Sequence, residues 1–538
     1  MIASNLWKAD IGDGNYRNPI LYADYSDPDA IRVGENYFMI ASSFCNAPGL
    51  PLLHSKDLVN WKVVNYIISE IPEERYKVPI HGCGVWAPAI RYHKGTYFVC
   101  FPMPDEGIYM CTATDPFGTW SKPVNIRPGS GWIDPCPFWD DDGKAYLVAG
   151  VAKSRIGYKS VLHMVEMQPN GMGLIGDAVK IFDGNENDQE TIEGPKMYKK
   201  NGWYYIFAPA GGVKTGWQTV LRSKNVFGPY EYKVVMRQGS SAVNGPHQGA
   251  WVDTVSGEDW FLHFQDVYAA GRITHLQPMS WHNDWPIIGI AKEGNDYGEP
   301  VTQYHKPNVG HVTAQICEPD TSDDFTQETL GLQWQWNANP QKDWYKLTGS
   351  ELQLNAVHLE TVYGDLPNLL LQKWPAPEFI CITKLNLSHL MDGEEAGIIS
   401  MGMRYGVLTF RKEGDWLLPC FILGVQNYGK VLPETVQETA NRYLPKINWN
   451  QAGELYIKYV VKCVGTQDLN DKEKAFPLEL VTMEYSTDGE NYQKAGEMNA
   501  VPGRWVGVKN GVFCTYAGAI EKEHTGYAVI DSVTYSTK

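Results

Sequence analysis

Concentrated positive charge is missing from this chain. Its 538 residues carry 46 Lys and Arg against 62 Asp and Glu, a formal net charge of -16, and no Lys/Arg run. Nucleic acid and anionic membrane both recruit clustered cations, so neither is expected as a partner and a neutral ligand is favoured. Apolar runs of about 18 residues, the length a membrane helix needs, do not occur. The N-terminal stretch "MIASNLWKADIGDGNYRNP" lacks a basic segment followed by an apolar one. The expectation is a soluble, cytoplasmic protein, or a secreted or periplasmic one if a leader has been removed. Ten cysteines are scattered with no CxxC pair and no zinc-like spacing, which argues for reduced, buried thiols over a disulfide or metal framework. Long stretches rich in Ala, Leu, Glu and Lys are also missing, and with them the material of a helical protein.

Aromatic residues, Gly and Pro are plentiful: 19 Trp, 31 Tyr, 17 Phe, 52 Gly and 33 Pro. This composition suits many short strands joined by turns, and aromatic faces also suit the apolar face of a sugar ring. One pattern recurs five times: a polar or aromatic residue, a short apolar run, a polar turn, and a strand led by an aromatic. The copies begin at Asp27, Trp86, Asp134, Glu193 and His247, and the aromatic after the turn follows 10, 11, 12, 11 and 13 residues later. Successive copies lie 59, 48, 59 and 54 positions apart. A second motif follows three of them, "HSKDLVNW", "CTATDPFGTW" and "RSKNVFGPY". Units of this length built of short strands match propeller blades. The expected fold is all-β: a five-bladed β-propeller within residues 1–310, followed by a jelly-roll or lectin-like β-sandwich over 320–538, where alternating strands such as "GVLTFRK" and "ELYIKYVVKCV" replace the blade pattern.

Equivalent positions of a radial repeat share one radius and height, so the five leading residues are expected around one mouth of the central channel. Three of them are acids, Asp27, Asp134 and Glu193. Gathered carboxylates repel, and burial opposes their ionisation further, a cost a fold tolerates chiefly where function needs it. Two carboxyl groups flanking a glycosidic bond suffice to hydrolyse it, one protonating the leaving oxygen and the other activating water or attacking the anomeric carbon. A third can raise the acid's pKa.

At this level of detail, "NPILYADYSDPDAIRVGENYFM", "GVWAPAIRYHKGTYF", "WIDPCPFWDDDGKAYL", "IEGPKMYKKNGWYYIF" and the "GR" at 271–272 together resemble glycoside hydrolase family 43, the five-bladed xylosidases and arabinofuranosidases. The second half, through "DDFTQETLGLQWQWNANP" and "YSTDGENYQKAGEMNAVPGRWVGVKNGVFC", resembles the sandwich domain of the two-domain β-xylosidase branch. The resemblance implies an exo-acting, inverting β-D-xylosidase with a neutral oligosaccharide substrate, or alternatively an α-L-arabinofuranosidase. By position it implies Asp27 as general base, Glu193 as general acid and Asp134 as pKa modulator. It also implies substrate-facing roles for Trp86, Phe44, His247 and Arg272, with His81 an ambiguous further candidate. No cofactor is required on this reading, although a structural calcium near the channel and a homo-oligomer are both compatible with it. A catalytically silent glycan-binding propeller is the rival from another class, and binding alone would not require three converging acids. "WDDDG" at 139–143 reads as a solvated hairpin turn rather than a calcium loop, and the charged run "TQDLNDKEKAF" at 466–476 as an exposed loop. Asp24 and Asp29 read as loop-shaping acids around Asp27.

Overall fold

The computed structural model describes residues 6–312, 314–426, 440–468, 475–518 and 524–537. Five antiparallel sheets follow one another along the first half of the described chain. The first blade is Asp29–Val33, Asn36–Ile40, Gly49–Ser55 and Trp61–Ile68, and the second is Ala89–His93, Thr96–Met103, Gly107–Ala113 and Val124–Pro128. The third is Trp132–Trp139, Ala145–Val151, Val161–Met167 and Leu174–Asp183. The fourth is Lys196–Lys200, Trp203–Ala210, Trp217–Ser223 and Glu231–Met236, widened by two short strands, and the fifth is His247–Asp253, Asp259–Asp266, Arg272–His282 and Trp285–Ile288. The four main strands of each blade are a continuous piece of chain. The first half of the described chain is thus a propeller of five such blades.

Because blades stack face to face, their second and third strands are buried on both sides, as in Asn36–Ile40 and Gly49–Ser55. That is why they read as near-continuous apolar runs. The second motif of the repeat is the turn from third to fourth strand, and its polar residues cap the backbone there. Asp57 Oδ1 accepts from the Val59 and Asn60 amides at 3.0 and 2.8 Å, Asp115 Oδ1 from Phe117 at 3.0 Å, and Asn225 Oδ1 from Phe227 at 3.1 Å. The ring is closed by chain outside the blades. Asn15–Arg17 pairs antiparallel with Gln303–His305, and Asn18 binds Leu276 and Val301 through its side chain.

The "WDDDG" turn is the hairpin between the first two strands of the third blade, but only partly solvated. Asp140 is buried, ion-paired with Lys199 and bonded by the Tyr204 hydroxyl at 2.5 Å, because Lys199 and Tyr204 of the next blade need an acceptor where the blades meet. Of the charged run at 466–476, residues 469–474 lie outside the described residues, while its ends are strand, with Gln467 paired to Phe476.

The second half packs a 9-stranded sheet on a 7-stranded one, a lectin-like β-sandwich. Its strands alternate as a sheet with one wet face requires: in Phe379–Asn386, Phe379, Cys381, Thr383 and Leu385 point inward. The sandwich core runs on into Val267, Ala269, Ala270 and Ile273 of the fifth blade. The seam is also hydrogen-bonded throughout: Ala47 and Trp336 bridge backbone to backbone, and Asn339 exchanges two bonds with Ile71. Among the described residues no helix is long and apolar enough to cross a membrane.

Candidate active site

Four of the five leading residues meet at one end of the channel. Asp27 precedes the first strand of the first blade and is 4% exposed; its Oδ1 accepts from Arg272 Nη1 at 2.8 Å and its Oδ2 from the Ser42 hydroxyl at 2.9 Å. Asp134 is also 4% exposed, and its Oδ2 accepts from the Gly194 amide at 2.8 Å. Glu193 presents the more open carboxyl, with 28% of its side chain exposed, and its Oε1 lies 3.0 Å from His247 Nε2. Arg272 is buried beneath them, its guanidinium 4.8 Å from the centre of the Phe264 ring. The arrangement is an acid held by an arginine on one side, an acid held by a histidine on the other, and a third acid between.

The backbone at two of these acids is strained. Asp27 has φ of 56° and Asp134 φ of 55°, a left-handed conformation costly for a non-glycine residue and further disfavoured before Pro28 and Pro135. Each such residue costs about 1–3 kcal/mol and persists where surrounding structure enforces it. At Asp134 the strand register shifts between Ile133 and Cys136, and at His247 it shifts between His247 and Gly249. These bulges turn the strand ends inward.

Burial first, then the charges of Glu193 and Asp27, push the Asp134 carboxyl up to about 8, against the opposing pull of Lys196 and the Gly194 amide. Lys196 is wholly buried and donates to the Pro88 carbonyl at 2.7 Å. The Arg272 guanidinium is disfavoured by its burial, yet Asp27, Asp266, Asp24 and Glu193 together hold it more firmly protonated than usual. Among the described residues no three His, Cys, Asp or Glu side chains are placed to hold a metal. The unpartnered His247 Nδ1 is a poor match for calcium, which takes oxygen ligands.

The remaining candidates separate into two groups. Trp86 and Phe44 pack together with their ring centres 6.2 Å apart, Phe44 itself left-handed at φ 51° and bridged to Val85. His81 makes its contacts with Cys45 and with the sandwich. Its Nδ1 lies 4.0 Å from Cys45 Sγ, and its Nε2 sits 3.1 Å from the Gly364 carbonyl and 3.3 Å from Asp365 of the sandwich. Although burial opposes its charge, Asp365 and Cys45 raise His81 to about 9. It is a tie across the domain seam.

Three contributors were not singled out as site residues from sequence. Ser42 is one and Asp24, whose carboxylate accepts from the Arg272 amide at 2.9 Å, is another. The third is Trp505 of the sandwich, 4.7 Å from Trp86 and 6.4 Å from Phe44 between ring centres. Trp505 also has positive φ, 62°, a genuine outlier for so bulky a residue. A Trp bracketed by Gly503 and Gly507 in a loop was the available signal. Asp29, expected to shape the loop, instead ties the first blade to the second, accepting from the Ile90 amide at 2.8 Å and from Arg91 at 2.6 Å.

Comparison with known proteins gives the same picture from a different direction. Residues 16–286 match the model of glycosyl hydrolases family 43, and residues 322–536 match the β-xylosidase C-terminal concanavalin A-like domain. A Xylanibacter ruminicola protein provisionally named a β-xylosidase is 36% identical over 95% of this chain and 88% of its own length. A Bacteroides ovatus protein named a non-reducing end α-L-arabinofuranosidase is 32% identical over 83% of this chain and 84% of its own. The crystal structure of the BlXynB protein from Bacillus licheniformis superposes with a TM-score of 0.78 at 25% identity, covering 97% of this chain and 100% of that one.

Proposed function

The chain belongs to glycosyl hydrolases family 43 and is a glycoside hydrolase, and on that premise we propose that it removes terminal β-D-xylosyl units from xylo-oligosaccharides with inversion. The observation that carries this reading is the division of the acid cluster: Asp27 gripped by Arg272 and Ser42, Glu193 gripped by His247, and Asp134 between them. Glu193, the more exposed acid, protonates the glycosidic oxygen. Asp27, held as an acceptor, takes a proton from the water that attacks the anomeric carbon from the opposite face. Burial and the charges of Glu193 and Asp27 hold the Asp134 carboxyl up to about 8, so Asp134 retains its proton toward neutral pH. Asp134, the pKa modulator on this reading, acts beside the acid without touching the bond. Exo action is supported by the aromatic cluster of Trp86, Phe44 and Trp505, read as a wall that lets only a chain end reach the acids.

The specific test is product analysis. On an aryl β-D-xyloside, NMR of the first-formed sugar is expected to show α-xylose, and β-xylose appearing first would reject inversion. A second reading, α-L-arabinofuranosidase, is supported by the Bacteroides ovatus relative named for that activity. Initial rates on aryl β-D-xylopyranoside and aryl α-L-arabinofuranoside side by side rank the two. Trp505→Ala is expected to raise KM about tenfold while kcat changes by less than about threefold, the signature of lost sugar packing. An unchanged KM would remove Trp505 from the pocket.

A further inference from the structure

Asp24 touches no reacting group, yet each of its carboxylate oxygens reaches a segment that builds the site. Oδ1 accepts from the Arg272 amide and Oδ2 from the Gly507 amide, both at 2.9 Å, and the residue is 3% exposed. Arg272 carries the ion pair to Asp27. Gly507 ends the sandwich loop that bears Trp505. One buried carboxylate therefore joins two structures from different domains.

The contact has no slack. A methyl group on Gly271 would stand 2.7 Å from Asp24 Oδ1 and 2.7 Å from the Gly507 backbone, and one on Gly507 would stand 2.7 Å from the Ala270 carbonyl oxygen. The next amide, Val508, donates to Ala269 at 2.8 Å. Burying a carboxylate costs free energy unless its oxygens are bonded, and apolar packing already joins the domains at Val267 to Ile273. The acid also favours the charged form of two lysines, Lys373 and Lys509, but neither of them fixes the direction of its two oxygens. The two acceptors instead fix where the Arg272 amide and the Gly507 amide sit relative to each other.

We propose that Asp24 is a positioning residue of the hydrolytic site, the clasp that sets the Trp505 loop of the second domain in register with the Arg272–Asp27 pair. The proposal rests on Asp27 being the general base and Trp505 a pocket wall. In Asp24→Asn one oxygen is replaced by an NH2 group that faces an amide N–H, so one of the two bonds is lost and its partner repelled. Misplacement of a site by about 1 Å typically costs about 100-fold in rate.

The experiment uses the full chain and four variants, Asp24→Asn, Trp505→Ala, the double variant and Gly507→Ala, assayed on both aryl glycosides. Asp24→Asn is expected to raise KM about tenfold and lower kcat about tenfold. In the Trp505→Ala background it should add no more than about twofold to KM while kcat still falls, because the KM effect acts through that ring. Gly507→Ala, which leaves the carboxylate intact and displaces the loop, should reproduce the KM rise. Additive KM effects, or wild-type kinetics in Asp24→Asn, would overturn the proposal. Should Asp24→Asn fail to fold, the cycle of Gly507→Ala with Trp505→Ala reads the same coupling. A wild-type chain inactive on both glycosides would reject the hydrolase mechanism itself, whereas an active one with additive variants rejects only the clasp.

Discussion

Glu193→Gln is expected to lower kcat on xylobiose by about 10²- to 10⁴-fold, the usual loss when a general acid is removed. Glutamine keeps the shape and the contact to His247 Nε2 but delivers no proton. The loss should therefore depend on the leaving group. A dinitrophenyl xyloside, whose phenolate departs unaided, should retain most of its rate, while xylobiose, whose sugar alkoxide does not, should lose nearly all of it. Asp27→Asn supplies the contrast: water activation is needed whatever leaves, so its loss of comparable size should be the same for both substrates. Equal sensitivity of the two variants to leaving group would reverse or reject the assignment of acid and base.

Asp134→Asn is expected to lower kcat by about 100-fold on xylobiose and at the same time to change how stability responds to pH. The carboxyl of Asp134 is raised in the folded protein to about 8, from about 4 in an unfolded chain. The folded state thus binds its proton more tightly. The stability this contributes is fully present below about pH 4 and is lost as pH rises through about 8. Asparagine has no such proton to lose. The melting temperature of Asp134→Asn relative to wild type should therefore climb between pH 4 and pH 8 and level off above, measured in buffers of constant ionic strength. A difference that stays flat or falls with pH would show that Asp134 is not held protonated. Gain of stability with loss of activity is what a site built of mutually repelling acids entails.

How much of this was legible beforehand differs residue by residue. Asp27, Asp134, Glu193 and His247 were found from spacing, because a radial repeat turns equal positions in sequence into a shared place in space, and the structure does bring those four together. Trp86 shares the register but packs against Phe44 and Trp505, with Arg155 over its ring. His81, an ambiguous candidate from its sequence, is tied to the sandwich, because Gly364 and Asp365 of the second domain meet its Nε2. Asp140 was read as solvent-facing from a turn of three acids, and is buried because the neighbouring blade sets Lys199 and Tyr204 against it.

The division has a physical basis. Sequence by itself determined the blade count, the change to a sandwich and the acids of the ring, since alternation, turn chemistry and a repeat of about 50 residues are local properties written along the chain. Tertiary structure alone decided the partner of each acid: Arg272 for Asp27, 245 positions away, His247 for Glu193, 54 away, and the amide of Gly507 for Asp24, 483 away. Contacts over such separations depend on how blades and domains close on one another, and no local pattern encodes that closure. What the ring of acids can do was visible early; what orients each acid came with the closing of the blades on one another, and the contact of Trp505 with Trp86 and Phe44 came with the packing of the second domain against the first.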